Sequence, residues 1–249
     1  MNPFFKSYHQ TMKEKFGCRI YKVSIDASFS CPNRDGTKGF EGCIFCDGNG
    51  SSSRTSEKTS IKQQVLKNIE HRKNRFKAKK FIAYFQSFSN TYKNVHELEK
   101  IYSEALFSHP DIIGMSVSTR SDCIDEKKIQ LISTYKKLFP YINIEYGLQS
   151  IHSKTLSFIN RKETLDDFLN ALKLSRACSI EPSVHVILNL PNESIEDQLK
   201  TADFLAEHKI QGVKIHILSA LKNTNMEKLY LEKKWTPYSY SEIVHLLCS

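Results

Sequence analysis

The chain has 249 residues, 40% hydrophobic and 25% charged, with 9 Gly and 7 Pro. That suffices to bury a core in one large α/β domain or two small ones, and it excludes a disordered, collagen-like or repeat-built chain. A net charge of +9, from 36 Lys and Arg against 27 Asp and Glu, favours polyanion partners, RNA above all, although a lysine-rich but indifferent surface gives the same figure.

In chain order, the start Met1-Asn2-Pro3-Phe4-Phe5-Lys6 has no charged-then-apolar signal pattern. The longest apolar runs, such as Val186-Ile187-Leu188, fall far below a membrane span. A cytoplasmic protein without membrane contact is expected. Arg19 to Ile25 reads as a first strand, followed by a long polar loop and a helix from about Ser60 to Arg75. Strand and helix then alternate: Lys80–Phe85 and Val95–Phe107, Asp111–Val117 and Asp125–Leu138, Tyr141–Leu148 and Leu165–Ala177, Ser183–Leu188 and Ile195–His208. Gly212 to Leu218 is a sixth strand. Asp125 and Ser194 stand where they can cap helices. Short apolar strands alternating with helices predict a parallel sheet covered by helices, as a barrel, part of one, or an open doubly wound sheet. In a barrel, function belongs at the C-terminal strand ends. Those ends are rich in polar groups: Gln86-Ser87, Ser118-Thr119-Arg120, Gln149-Ser150, Asn189-Leu190-Pro191 and Ser219.

Seven Cys without an export signal argue against a disulfide framework. Three of them, Cys31, Cys43 and Cys46, share one glycine-rich loop with C-x11-C-x2-C spacing. Soft thiolates gathered in this way form a metal ligand set, and Arg34 and Lys38 would offset their charge. Structural zinc normally takes four ligands, whereas a [4Fe–4S] cubane with one iron free of cysteine needs three. Thiols that bind no metal, or zinc completed by remote Cys123, stay open at this point. Cys18, Cys178 and Cys248 read as core or surface thiols. The segment His71 to Lys80 carries six Lys or Arg in ten positions, either a phosphate-backbone track or a solvated helix end.

The sequence resembles radical S-adenosylmethionine (SAM) proteins of the YhcC/YtqA type, akin to the Elongator-like branch. The resemblance runs from Phe16 to about Ser241. It rests on Phe29-Ser30-Cys31-Pro32-Asn33-Arg34-Asp35-Gly36-Thr37 with Gly42-Cys43-Ile44-Phe45-Cys46, on Tyr84-Phe85-Gln86, and on Thr119-Arg120-Ser121-Asp122-Cys123. Gly147-Leu148-Gln149-Ser150, Asn160-Arg161, Leu190-Pro191 with Glu193, and Lys214-Ile215-His216 complete it.

It implies an α/β fold, a partial (β/α)6 TIM-like barrel, as a single domain over 1–249. Within it, 1–18 is a lead-in, 27–59 a cluster-binding loop, and 219–249 a C-terminal helical segment shorter than in relatives. It implies a [4Fe–4S] cluster on Cys31, Cys43 and Cys46, with SAM on the fourth iron, cleaved to a 5′-deoxyadenosyl radical. Phe45 and the Asn189 to Pro191 segment, including Pro191, would meet the adenine, and Gln86 and Ser87 the amino group. Glu145 and Gln149 would meet the ribose, and Arg161 the carboxylate. Thr119, Arg120, Asp122 and Cys123 are expected on the substrate side, whereas His216 could be structural or functional. Asn189 and Asn192 stand where relatives commonly have Gly; Asn is the side chain that best tolerates a left-handed backbone. Lys162-Glu163 replaces a common Gly-His, so no role passes to that His. The implied reaction is conversion of 5-carboxymethylaminomethyluridine to 5-aminomethyluridine at a tRNA wobble position. A flavodoxin- or ferredoxin-type electron donor and a methyltransferase would be partners. The alternatives are radical chemistry on a protein or small metabolite, or a non-catalytic metal-bearing RNA-binding protein.

Overall fold

Six strands form one sheet in sequence order, each pair of neighbours parallel: β1 (Ile20–Ile25), β2 (Lys80–Phe85), β3 (Ile112–Thr119), β4 (Tyr141–Gln149), β5 (Ser183–Leu188) and β6 (Gly212–Ile217). This computed structural model describes residues 5–48, 50 and 59–248. Positions 49 and 51–58 of the expected cluster loop lie outside the described residues, as do 1–4 of the lead-in and 249 of the C-terminal segment.

Helix α1 (Tyr8–Phe16) precedes the sheet, within the expected lead-in. The crossovers are α2 (Ile61–Phe76), α3 (Val95–Leu106), α4 (Glu126–Thr134), the pair α5 (Ser153–Phe158) and α6 (Leu165–Ala177), and α7 (Ile195–Glu207). Helices α8 (Asn225–Leu231) and α9 (Tyr240–Cys248) follow β6. The helix expected over 125–138 ends early, at Thr134, and tightens into a 3-10 turn over Tyr135–Lys137. That turn buries Tyr135, whose hydroxyl donates to the Glu99 carbonyl at 3.2 Å. Both expected caps form: Asp125 accepts from the Lys128 N–H, and Ser194 makes a reciprocal capping box with Asp197.

The strands alternate between two surroundings. Phe81, Ala83 and Phe85 of β2, Met115 and Val117 of β3, and Ile144, Tyr146 and Leu148 of β4 face the helices and pack with Val65, Leu98, Tyr102, Ile132 and Phe168 into the main core. The intervening residues face the concave side and are largely polar. Curvature is shown by a contact across that side. Lys214 Nζ of β6 donates to the Tyr84 hydroxyl of β2 at 2.9 Å, although the strands are four places apart. A flat sheet at about 4.8 Å per strand would separate them by about 19 Å. The sheet is therefore a half-barrel rather than an open doubly wound layer, with β1 and β6 at its two edges and no pairing between them among the described residues. Gly114 is required where β3 starts, since a Cβ there would lie 1.6 Å from the Tyr141 carbonyl oxygen.

Candidate functional site

The cysteine loop leaves the C-terminal end of β1 and is clamped onto the segment after α5. Asn33 Nδ2 donates to the Asn160 carbonyl at 2.6 Å, and Asn160 Nδ2 donates to the Gly42 carbonyl at 2.7 Å. The Ile44 N–H adds a bond to the Ile159 carbonyl at 3.1 Å. Asn160 and Lys162 sit in the left-handed region, with φ of 53° and 49°, and this turn aims Arg161 back at the loop. Cys43 is buried, and its Sγ is approached by Asn33 Nδ2 at 3.8 Å and Arg161 Nη1 at 3.9 Å.

Arg161 thus joins the expected Arg34 and Lys38 as a cation at the cysteine loop, and it faces the Cys43 sulfur. Arg34 Nη2 donates to the Cys46 carbonyl at 2.6 Å, and Lys38 Nζ pairs with Asp122 at 2.5 Å. Arg161 Nε is buried without a partner. A buried guanidinium nitrogen lacking an acceptor beside Cys43 suits a bound anion or sulfide-bearing group, so the donor set fits a cluster with SAM. Among the described residues no three His, Cys, Asp or Glu side chains converge as a single metal ion would need. This holds for Cys31, Cys43 and Cys46 as well, with or without Cys123.

Arg120 and Asp122, expected on the substrate side, engage each other and their neighbours where β3 runs into the 3-10 turn Ser121–Cys123. Arg120 grips Asp122 through Nε at 2.8 Å and Nη2 at 2.7 Å and donates to the Arg161 carbonyl at 3.0 Å. Glu163 forms an ion pair with Arg161 Nη2 at 2.6 Å and accepts from the Ser121 N–H at 2.8 Å. Burial would raise the Asp122 pKa, but Arg120 and Lys38 outweigh it and hold it at about 2. Thr119 bonds Thr91 at 2.7 Å, and burial pushes the Cys123 thiol up to about 12, against a thiolate role. Asp122 reaches the cysteine loop through Lys38, and none of the four lines the cavity described next.

That cavity, about 270 Å³, opens on the concave side at the C-terminal strand ends and is bordered by Phe45, Gln86, Gln149, His185, Lys214 and His216. Of the residues expected to hold SAM, Phe45, Gln86 and Gln149 line it. Gln149 has a φ of 70°, a conformation that turns the chain at the end of β4. Ser87 is buried just past β2, and Arg161 faces Cys43. Asn189 keeps the left-handed turn with φ of 64°, as does Asn192 with 66°. Its polar groups are already engaged by Gln198, Thr236 and Trp235. Asn189 and Pro191 do not border the cavity.

Glu145, expected at the ribose, lies one layer deeper on β4. Its carboxylate accepts from Lys22, Ser116, Tyr84 at 3.2 Å and His185 Nε2 at 2.7 Å. Burial acts to raise its pKa, yet His185 and Lys22 pull it well below the carboxylate range. Because His185 donates through Nε2, its Nδ1 accepts from His216 Nε2 at 3.3 Å. Burial, then His185 and Lys214, pull His216 down to about 4. Sequence reasoning missed Lys22 and His185 as members of this floor and left His216 undecided. The available signal was polar residues at alternate positions inside otherwise apolar strands.

The basic run does not lie at this rim. It ends α2 and leads into the start of β2, at the opposite end of the strands. Lys73 and Lys80 there pair with Asp111 at 2.8 and 3.2 Å, and Arg72 and Arg75 lie against the Phe76 ring.

The family model of the Radical SAM superfamily matches residues 31–205. YtqA of Bacillus subtilis, an uncharacterized protein, is 35% identical over 245 residues, covering 97% of this chain and 74% of that one. The tRNA uridine(34) acetyltransferase of Methanocaldococcus jannaschii is 22% identical over 138 residues, 54% of this chain and 25% of that one. Among solved structures, an N-terminally deleted Elp3 of Methanocaldococcus infernus superposes with a TM-score of 0.66 at 16% identity. The match covers 92% of this chain and about half of that one (52%).

Proposed function

The chain belongs to the radical SAM superfamily, and on that premise we propose that Cys31, Cys43 and Cys46 hold a [4Fe–4S] cluster beside the cavity bordered by Phe45, Gln86 and Gln149, where SAM binds. Bound there, cluster and SAM would supply one-electron cleavage of SAM to methionine and a 5′-deoxyadenosyl radical, which takes a hydrogen atom from an unactivated C–H. The observation that carries this reading is the Cys43 sulfur held between Asn33 and Arg161, with Arg161 Nε left for a ligand. Asn33 and Asn160 fix the loop, Arg161 offsets thiolate charge, and Phe45 supplies an apolar wall where adenine can pack.

The substrate in this reading is tRNA, at the wobble uridine: the glycine-derived carbon of the 5-carboxymethylaminomethyl group loses a hydrogen atom and then one electron, which passes to the electron-carrier partner, and water hydrolyses the resulting imine to the 5-aminomethyl group and glyoxylate. Similarity to a protein named tRNA uridine(34) acetyltransferase and the Elp3-like fold support it. The half-barrel, open between β1 and β6, leaves a lateral approach for a macromolecule. A flavodoxin- or ferredoxin-type donor and a methyltransferase acting on the product belong to the same proposal.

The test is anaerobic reconstitution with iron and sulfide, then reduction by dithionite with SAM. Wild type should hold iron and release 5′-deoxyadenosine; Cys43→Ala should lose both. Nucleosides from a deletion strain should accumulate the carboxymethylaminomethyl form. An unchanged nucleoside with SAM cleavage intact would shift the substrate to a protein or metabolite. Zinc without cleavage would leave an RNA-binding protein.

A further inference from the structure

The concave floor beneath the rim holds more positive charge than its one carboxylate can match. Two ammonium groups, Lys22 and Lys214, share this floor with Glu145. A carboxylate has about four lone-pair sites. Those of Glu145 are taken by Lys22, Ser116, Tyr84 and His185. Nothing remains there for Lys214. Its Nζ donates to the Tyr84 hydroxyl at 2.9 Å, a neutral acceptor that itself donates onward to Glu145. Among the described residues Lys214 makes no salt bridge, and it stands in the cavity wall. An ammonium has three N–H donors, so two are left for whatever fills the cavity.

The neighbours are suited to the same guest. His185 and His216 border the cavity in a chain of donors leading to Glu145, and neither carries negative charge. Among the described residues no carboxylate lines the cavity. Burial draws the Lys214 pKa below the ordinary lysine value, with Glu145 acting in the opposite sense. Desolvation without a full counter-charge is an unfavourable state that an incoming anion relieves.

We propose that this floor is an anion subsite, in which Lys214, flanked by Tyr84, His185 and His216, binds a carboxylate carried by the substrate. The inference rests on the reading of the rim as the SAM site and deepens it, because it names the substrate feature that the lumen selects. A carboxylate anchored on Lys214 holds the neighbouring carbons of the substrate inside the cavity, below Phe45 and Gln149. Lys214 is a positioning residue for that carbon chain and takes no part in bond breaking.

Two measurements test it. Crystals of the reconstituted, SAM-bound holoenzyme soaked in bromide should show an anomalous peak at Lys214 Nζ that is missing from Lys214→Met. No peak in the lumen, or a peak that survives the substitution, overturns the subsite. A peak seen only without SAM assigns the cation to SAM's own carboxylate and equally overturns it. Turnover is then compared on a tRNA anticodon stem-loop carrying the 5-carboxymethylaminomethyl group and on its methyl ester. Lys214→Met should lower kcat/KM on the acid by roughly 10- to 100-fold, the loss of one charge-assisted contact, and Lys214→Arg should recover most of it. On the ester, wild type and Lys214→Met should be equal. SAM affinity by equilibrium dialysis is read alongside; a matching loss there also overturns the proposal. Bromide on Lys214 with no turnover of the acid by wild type would retire the nucleoside and leave the subsite standing.

Discussion

Behind the cysteine loop, Lys38, Arg120 and Arg161 meet Asp122 and Glu163; on the lumen floor, Lys22 and Lys214 meet Glu145 alone. Each cluster has one cation more than it has carboxylates. In the first, Lys38 and Arg120 share Asp122, while Arg161 pairs with Glu163 and is also turned to the Cys43 sulfur, closed in by the Gly147 carbonyl at 2.6 Å. In the second the spare cation is Lys214, on the wall of an open cavity. The same imbalance therefore serves two ends. One is completed by the protein's own thiolates, and the other is left for a molecule that comes and goes. Burying a charge is costly unless it is paired, so both surpluses point to where a partner belongs.

The sharpest way to break the comparison is Arg161→Met. It strands the Glu163 carboxylate, 4% exposed, with Arg120 at 3.6 Å as its nearest remaining cation. Removing one partner of a buried pair costs about 3–5 kcal/mol. Urea unfolding should show a loss of that size, and anaerobic reconstitution should show less iron per chain. The double variant Arg161→Met/Glu163→Gln should regain part of the stability but none of the iron. Unchanged stability in the single variant would mean that the loop is held elsewhere.

The lumen should respond instead to acid. His216 is held at about 4 against an ordinary 6.5. The unfolded chain thus takes up its proton first, and folding is favoured by pH above that exchange. The contribution is full above about pH 6.5 and is lost as pH falls toward 4. The groups facing the ring are His185, Lys214 and Glu145. The ring borders the open cavity, so solvent screens part of the effect and the loss is about 1–2 kcal/mol. His216→Asn should remove it. The gap between the urea midpoints of variant and wild type should change between pH 7.5 and 4.5, and a constant gap would separate His216 from the acid response.

These two clusters also mark how far the sequence could be read. Strands β2 and β5 and helix α6 fall on their expected residues, because apolar runs and periodicity report burial directly. The short helix α5 escaped, having too few turns to show a period, whereas α8 falls inside the helical segment expected over 219–249. The partial barrel was legible only through the family resemblance, since alternation along a strand is the same in a flat sheet and in a barrel. The cysteine spacing and Arg161 were visible as chemistry. That Arg120 and Asp122 pair with each other was not, because one 3-10 turn after β3 brings them together. Lys22, Glu145 and Lys214 lie on three different strands, and only the closing of the sheet brings them together.

Lys38→Ala is the mildest of the tests and the one that separates burial from contact. Lys38 touches Asp122 at 2.5 Å, closer than Arg120 does, so distance alone would make it the stronger anchor. Its side chain is 37% exposed, whereas that of Arg120 is 3% exposed. Water can replace Lys38 at the carboxylate, and Asp122 keeps both bonds from Arg120. The expected cost is at most about 1 kcal/mol, shrinking further in salt because the pair reaches solvent. A loss as large as that of Arg161→Met, measured by urea unfolding in the same buffer, would move the anchor of the cysteine loop from the buried guanidinium to the rim.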